Sequence, residues 1–220
     1  MEKLKRLLMV FGALSMVIAL SACGGSKKEP EIGNQSRQTA GTKIGTMVFV
    51  SDFKFYIDKF EVTNQDYQEC VSAGACKEAK KKRGFDGPQQ PVVFVNQEDA
   101  RTYCQWAGKR LPKEQEWQEA AQGTDSREYP WGNQEPNCSL ANYSDCGVKA
   151  TLPVGSKPAG ASPYGALDMA GNVWEWVEEE GVYRGGGWDF SCMDVTLSHR
   201  SLGPASNHGY DDIGFRCARD

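Results

Sequence analysis

The chain has 220 residues, 25 Lys+Arg against 29 Asp+Glu for a formal charge of −4, 40% hydrophobic residues, 24 Gly and 10 Pro. That length suits one ordinary domain and excludes two large ones, the acidic balance excludes the clustered basic surplus of a nucleic-acid surface, and the composition excludes a collagen-like or wholly disordered chain. Eight cysteines without a CxxC pair point to an oxidising compartment, and two histidines, His199 and His208, without HxH or HExxH spacing, exclude a histidine-rich iron or zinc centre.

At the N-terminus, Lys3, Lys5 and Arg6 precede an apolar run from Leu7 to Leu20, shorter than the ~18 to 20 residues of a bilayer-spanning helix. The run ends in Leu20-Ser21-Ala22-Cys23, small residues directly before a cysteine, as in a bacterial lipobox. Residues 1–22 are therefore expected to be an export signal, with Cys23 the acylated first residue of the mature chain. Lipid at Cys23 would hold the protein to a membrane without spanning it, placing it in the cell envelope, at the outer membrane or periplasmic face of a Gram-negative cell. Residues 23–43, rich in Gly, Ser, Lys, Glu, Gln and Thr, read as a flexible tether, and the folded domain is expected over 44–220.

Within that domain, Met47 to Val50 and Phe53 to Ile57 are β-prone runs around Ser51-Asp52, an opening hairpin. Thr63 followed by Asp66 resembles a capping box whose helix should stop before Gly74. Asn96 and Asp99 repeat it, followed by Ala100, Tyr103, Cys104 and Ala107 at helical spacing and by Gly108 as a stop. Pro112 at a first helical position, then Lys113 to Gln122 and Gly123, predicts a third helix. Beyond Gly123 the helical period disappears into a stretch full of Gly, Pro, Asn, Asp and Trp, the kind held by cross-links or ions. The six tryptophans (106, 117, 131, 174, 176 and 188) read as a core built around indoles, and Lys80 to Arg83 and Glu178 to Glu180 as solvated loops. By local pattern alone, Asn172 is a turn residue and Glu175 a surface charge.

Six strings occur in order: Tyr56 to Asn64, Tyr103 to Pro112 with Glu116-Trp117, Tyr129-Pro130-Trp131-Gly132, Asp168 to Trp176, Arg184-Gly185-Gly186, and Gly214 to Arg219. Together they resemble the formylglycine-generating enzyme or sulfatase-modifying factor family, over nearly all of the folded part. The resemblance implies a C-type-lectin-like α+β fold with few regular elements and bound calcium, a hard cation held by backbone carbonyls and a few side-chain oxygens. Carried over residue by residue, one calcium site would use Gly171, Val173 and Glu175. A second would use Asn142 and Tyr143, with Asp145 about one position from where the pattern puts the acidic ligand. The family pattern also implies a disulfide between Cys104 and Cys217. Cys70 with Cys76 and Cys138 with Cys146 are close enough in sequence to close short loops, and both bridges are expected. With Cys23 lipidated, Cys192 is left over.

Members that oxidise a sulfatase cysteine to formylglycine use two cysteines shortly after an Arg-Gly-Gly-Ser string, a thiolate pair suited to copper(I). Here Gly187 stands in place of the serine, and Phe190 and Val195 in place of the cysteines. Neither Phe nor Val binds copper or acts as a nucleophile, so the reaction and copper are expected to be absent, with Cys192 a weak lone candidate for redox chemistry. The resulting expectation is a ligand-binding or accessory domain whose partner is a protein or small molecule of the envelope. Two alternatives are formylglycine generation, or another envelope maturation step in the same cleft, and a diversified surface-display binder. The last rests on residues 189–215, which contain no Lys, Glu, Gln or Trp. Randomising the adenines of Asn codons never yields those four residues, and lectin-fold members of the family are targets of such diversification.

Overall fold

The computed structural model describes residues 46–203 and 209–220. The expected signal, Cys23, the tether and its boundary at Ile44, and His208, lie outside the described residues.

Strand β1 (Met47–Val50) pairs antiparallel with β2 (Phe55–Asp58), Met47 opposite Asp58 and Val50 opposite Phe55. The second strand starts two residues later than the sequence suggests, because the turn runs through Lys54 in the left-handed region at φ 64°. Helix α1 (Asn64–Ser72) is capped by Thr63, whose side chain accepts from the Asp66 amide. Helix α2 (Gln97–Trp106) has the full capping box of Asn96 and Asp99. Gly74 and Gly108, at φ 74° and 71°, let the chain leave each helix in a conformation costly to other residues. Helix α3 is Glu114–Gln122, with Lys113 as its N-cap and Pro112 before it, not inside it. What fixes that start is Glu116, whose carboxylate accepts the Lys113 amide at 2.8 Å.

The remaining elements are short: β3 (Trp174–Trp176), β4 (Val182–Arg184), β5 (Arg200–Leu202), β6 (Ile213–Phe215), β7 (Ala218–Arg219) and two 3₁₀ turns, Ser144–Cys146 and Pro158–Gly160. They complete a three-stranded sheet, β1-β2-β7, and a four-stranded sheet, β5-β4-β3-β6, in which β3 and β6 run parallel and the other pairs antiparallel. This is the expected α+β architecture with little regular structure after α3.

Three disulfides join Cys70 to Cys76, Cys104 to Cys217 and Cys138 to Cys146, leaving Cys192 free among the described residues. The Cys104–Cys217 bridge fastens α2 to the C-terminal segment inside the largest apolar cluster, beside Phe215 and Trp174. Trp117, Trp174 and Trp176 are buried, but Trp106 is 36% exposed, and Trp131 and Trp188 are half-buried, so the indole core is three tryptophans and not six. Lys80 to Arg83 and Glu178 to Glu180 are exposed, as expected of solvated loops.

Candidate functional site

β4 ends at Arg184, and the chain turns through Gly185 and Gly186 at φ 103° and 78°. A Cβ at Gly186 would lie 2.8 Å from both the Asp194 carbonyl oxygen and Val195 Cγ1, so the loop can fold back on its own start only over a glycine. Arg184 holds the far end of this loop. Its buried guanidinium donates to the carbonyls of Leu197 (2.5 Å) and His199 (3.1 Å), to Glu114 (2.8 Å) and to Gln118 of α3, and lies 5.2 Å over the Trp117 ring. The arginine of the Arg-Gly-Gly string is thus a fastener between the helix layer and residues 187–199.

The loop carries Phe190 and Val195. Val195 is fully buried in an apolar cluster with Tyr129, Tyr143 and Ala170, against which the half-buried Cys192 packs. Phe190 stands edge-on to Trp174 at 5.3 Å, and Gly187 leaves room between Trp174 and Phe190. Apolar carbon therefore fills the two positions that a copper-binding thiolate pair would need, and one thiol, Cys192, is not such a pair. These residues do not fit copper(I).

Above the cluster opens a cleft of about 880 Å³ walled largely by residues 191–200 together with Glu128, Tyr129 and Glu135. Asp194 orders it: Oδ2 accepts from the Ser191 amide (2.9 Å) and hydroxyl (2.6 Å), while Oδ1 faces His199 Nδ1 at 3.5 Å. Arg200 is drawn to Glu114, its Nε 2.8 and 3.0 Å from the two carboxylate oxygens. Among the described residues no serine hydroxyl or thiol is hydrogen-bonded to His199, so the cleft holds an imidazole–carboxylate contact without an activated nucleophile. Its chemistry suits recognition, through mixed donors and acceptors and the exposed thioether of Met193.

Beneath the loop lies a buried polar network. Glu175, expected at the surface, is fully buried: Arg216 grips it through Nε to Oε2 and Nη2 to Oε1, both at 2.7 Å, and Trp117 Nε1 donates at 2.8 Å. Arg216 also donates to the carbonyls of Asp58, Lys59 and Leu167. Asn172 is a turn residue in its φ of 66°, yet its side chain is a buried hub. Its Nδ2 donates to both Glu61 oxygens (3.2 and 3.0 Å), and its Oδ1 accepts from the Leu152 amide (2.8 Å) and from Asn142 Nδ2 (3.2 Å). Burial first, then Asp168 and Glu175, push Glu61 well above the usual carboxylate range. Burial also raises Asp168 to about 6, although the Gly155 amide donates to it.

The two expected calcium sets meet in this network. Gly171 lies against the Asn142 backbone, where a Cβ would come within 2.4 Å of its carbonyl oxygen, and the Asn172 amide donates to that oxygen at 2.8 Å. Buried Asn142 Oδ1 has no hydrogen-bond partner, and Glu61, Asp168 and Glu175 share one guanidinium, Arg216. An orphaned oxygen and an excess of buried carboxylate both fit a hard cation, which would supply positive charge and nothing else. Val173 is buried, and its contribution would be its carbonyl. Glu175, Tyr143 and Asp145 fit less well, since both Glu175 oxygens are already taken by Arg216 and Trp117. The Tyr143 carbonyl accepts the Cys146 amide at 3.0 Å, and Asp145 is exposed, accepting from its neighbour Ser144. Among the described residues no group of three or more His, Cys, Asp and Glu side chains is arranged as a metal cage.

Sequence reading missed Glu61 and Asp168. Glu61 sits in the string Phe60-Glu61-Val62, one carboxylate between apolar residues, but whether such a group is buried is decided by what packs on it.

Residues 31–220 match the family described as Sulfatase-modifying factor enzyme 1-like domain. Over 151 residues the chain is 36% identical to the protein named Inactive C-alpha-formylglycine-generating enzyme 2 of Bos taurus, covering 58% of this chain and 50% of that one. Over 94 residues it is 44% identical to the Hercynine oxygenase of Mycolicibacterium thermoresistibile, covering 41% of this chain and 21% of the relative. The chain thus spans half or less of these relatives' length. Among solved structures, PvdO from Pseudomonas aeruginosa superposes with a TM-score of 0.63 at 26% identity, covering 76% of this chain and 80% of that one.

Proposed function

The chain belongs to the sulfatase-modifying factor enzyme 1-like family, and from that premise we propose that it is a member that binds a ligand in the loop cleft and does not oxidise cysteine to formylglycine. The observation that carries this reading is the replacement of the thiolate pair by Phe190, packed on Trp174, and Val195, fully buried. A relative named as inactive and another named as an oxygenase of a different substrate fit a family whose members do not all share one reaction. In this proposal Cys23 carries lipid, the domain works in the envelope, its ligand is a protein or small molecule there, and calcium is structural. The test is purified protein with copper and oxygen on a Cys-x-Pro-x-Arg peptide. No mass loss at the peptide cysteine is expected, and mass loss there would overturn the reading.

A second reading has its own observation. Most of the cleft wall, from Ser191 to Arg200, falls inside the segment 189–215 that lacks Lys, Glu, Gln and Trp. A diversified binding surface would vary at the positions that touch ligand. A near-copy of the coding segment beside a reverse transcriptase gene is its expected signature, and absence of that copy would remove it.

A further inference from the structure

Another cleft, of about 440 Å³, shares no lining residue with the one above. It lies among the β2–α1 connection, the first turns of α1 and the end of α2, lined by Glu61, Asp66, Glu69, Tyr103 and Trp106 and by the Asp58–Lys109 pair. Lys109 is the one cation among the described lining residues, and it is spent. Its side chain is 3% exposed, and Asp58 holds its ammonium at 2.6 Å. With Asp58 paired to Lys109 and Glu61 pushed well above the usual carboxylate range, the anionic group the cleft offers is Asp66, which forms no ion pair among the described residues.

A second observation is independent of that charge. Tyr103 is 6% exposed, and its ring is fixed between Tyr67 at 5.8 Å, Trp106 at 5.7 Å and Phe215 at 5.5 Å. Its hydroxyl lines the cleft without a hydrogen-bond partner among the described residues. Burial, followed by the fields of Asp66, Asp58 and Glu69, raises this phenol above its ordinary value, so it stays a neutral hydroxyl with lone pairs to offer. Asp66 has one oxygen committed, Oδ2 accepting the Thr63 hydroxyl at 2.7 Å, which leaves Oδ1 for a ligand. Trp106, 36% exposed at the end of α2, adds an open indole beside them.

A carboxylate oxygen, a fixed hydroxyl acceptor and an indole face are complementary to one chemistry, a positively charged N–H donor on an alkyl stem. We propose that this cleft binds an organic cation, an alkylammonium or alkylguanidinium, with its charge on Asp66, an N–H bond to the Tyr103 hydroxyl and its stem on Trp106. Such a group arrives either as a free small molecule or as a lysine or arginine side chain of a peptide, and the two sources are distinguishable.

The experiment is calorimetric titration of the full chain at low salt with n-butylguanidinium, with its neutral urea analogue n-butylurea, and with N-acetylated, C-amidated glycine-flanked arginine and citrulline peptides. The cationic probe is expected to bind at least about tenfold tighter than its neutral counterpart, with affinity falling as salt rises. Asp66→Asn, which keeps an acceptor for Thr63, is expected to weaken binding about tenfold with an unchanged melting temperature, and Tyr103→Phe about threefold. Binding of the arginine peptide without n-butylguanidinium would assign the ligand to a peptide. Equal affinity for the neutral analogues, unchanged affinity in Asp66→Asn, or no saturable binding of either cation would overturn the proposal.

Discussion

Arg216 and Glu175 face each other as a bidentate pair, Nε to Oε2 and Nη2 to Oε1 both at 2.7 Å, with neither side chain exposed to solvent. The field of the same guanidinium also reaches Glu61 and Asp168, where it opposes the rise that burial imposes on their carboxyl groups. Removing it leaves buried carboxylates with no guanidinium at all. Arg216→Met is expected to cost about 3–5 kcal/mol of folding free energy. Glu175→Gln, which keeps the shape and two acceptor–donor contacts, is expected to cost less. Urea denaturation of the two variants measures the difference, and equal costs would show that packing and not charge sets the stability there.

The three disulfides are expected to be unequal. Cys104–Cys217 spans a sequence separation of 113 and Cys70–Cys76 one of 6. Loop-closure entropy then assigns about 5 kcal/mol to the first and about 2 kcal/mol to the second. Paired alanine variants, compared by denaturant midpoint, should keep that order. The long bridge also sits among Phe215 and Trp174, so its loss is felt in the core as well as in the unfolded chain.

A hard cation at the Asn142 network should reveal itself as stability. Calcium at one hundred times its Kd would add about 2.7 kcal/mol. The melting temperature is therefore expected to fall when calcium is chelated, and Asn142→Ala, which removes the orphaned Oδ1, is expected to lose the calcium response. A melting temperature indifferent to chelator would contradict the calcium assignment.

Burial first, then neighbouring Asp189, raises Asp212 from 3.8 to about 6. The folded chain then holds this proton more tightly than the unfolded one, so the group's contribution to stability is full below about pH 4 and is lost as the pH rises through 6. Asp212→Asn does not titrate. It is expected to match the wild type near pH 4 and to exceed it at pH 7.5 by on the order of 1 kcal/mol, read from denaturation curves at the two pH values.

The helices were legible because their signals are local. Thr63 with Asp66, Asn96 with Asp99, and Gly74, Gly108 and Gly123 act within a few residues of where they stand. The third helix start was misplaced by Pro112 because Glu116, three residues past Lys113, reaches back to cap it. The strands β3 to β6 were not legible: each is three residues long and exists only through pairing, as where Trp174 meets Ile213 across a parallel register. Burial of Glu61, Asn172 and Glu175 was equally hidden, since a carboxylate enters a core only when a distant Arg216 is there to meet it. The missing thiols at Phe190 and Val195 could be read directly, since that inference needs position alone.

Whether this loop can hold copper(I) is tested most directly by copper stoichiometry. Native full-length protein titrated with copper(I) against a competing chelator is expected to retain no stoichiometric copper, since Phe190 and Val195 offer no ligand and Cys192 stands alone among the described thiols. One tightly held copper per chain would contradict it.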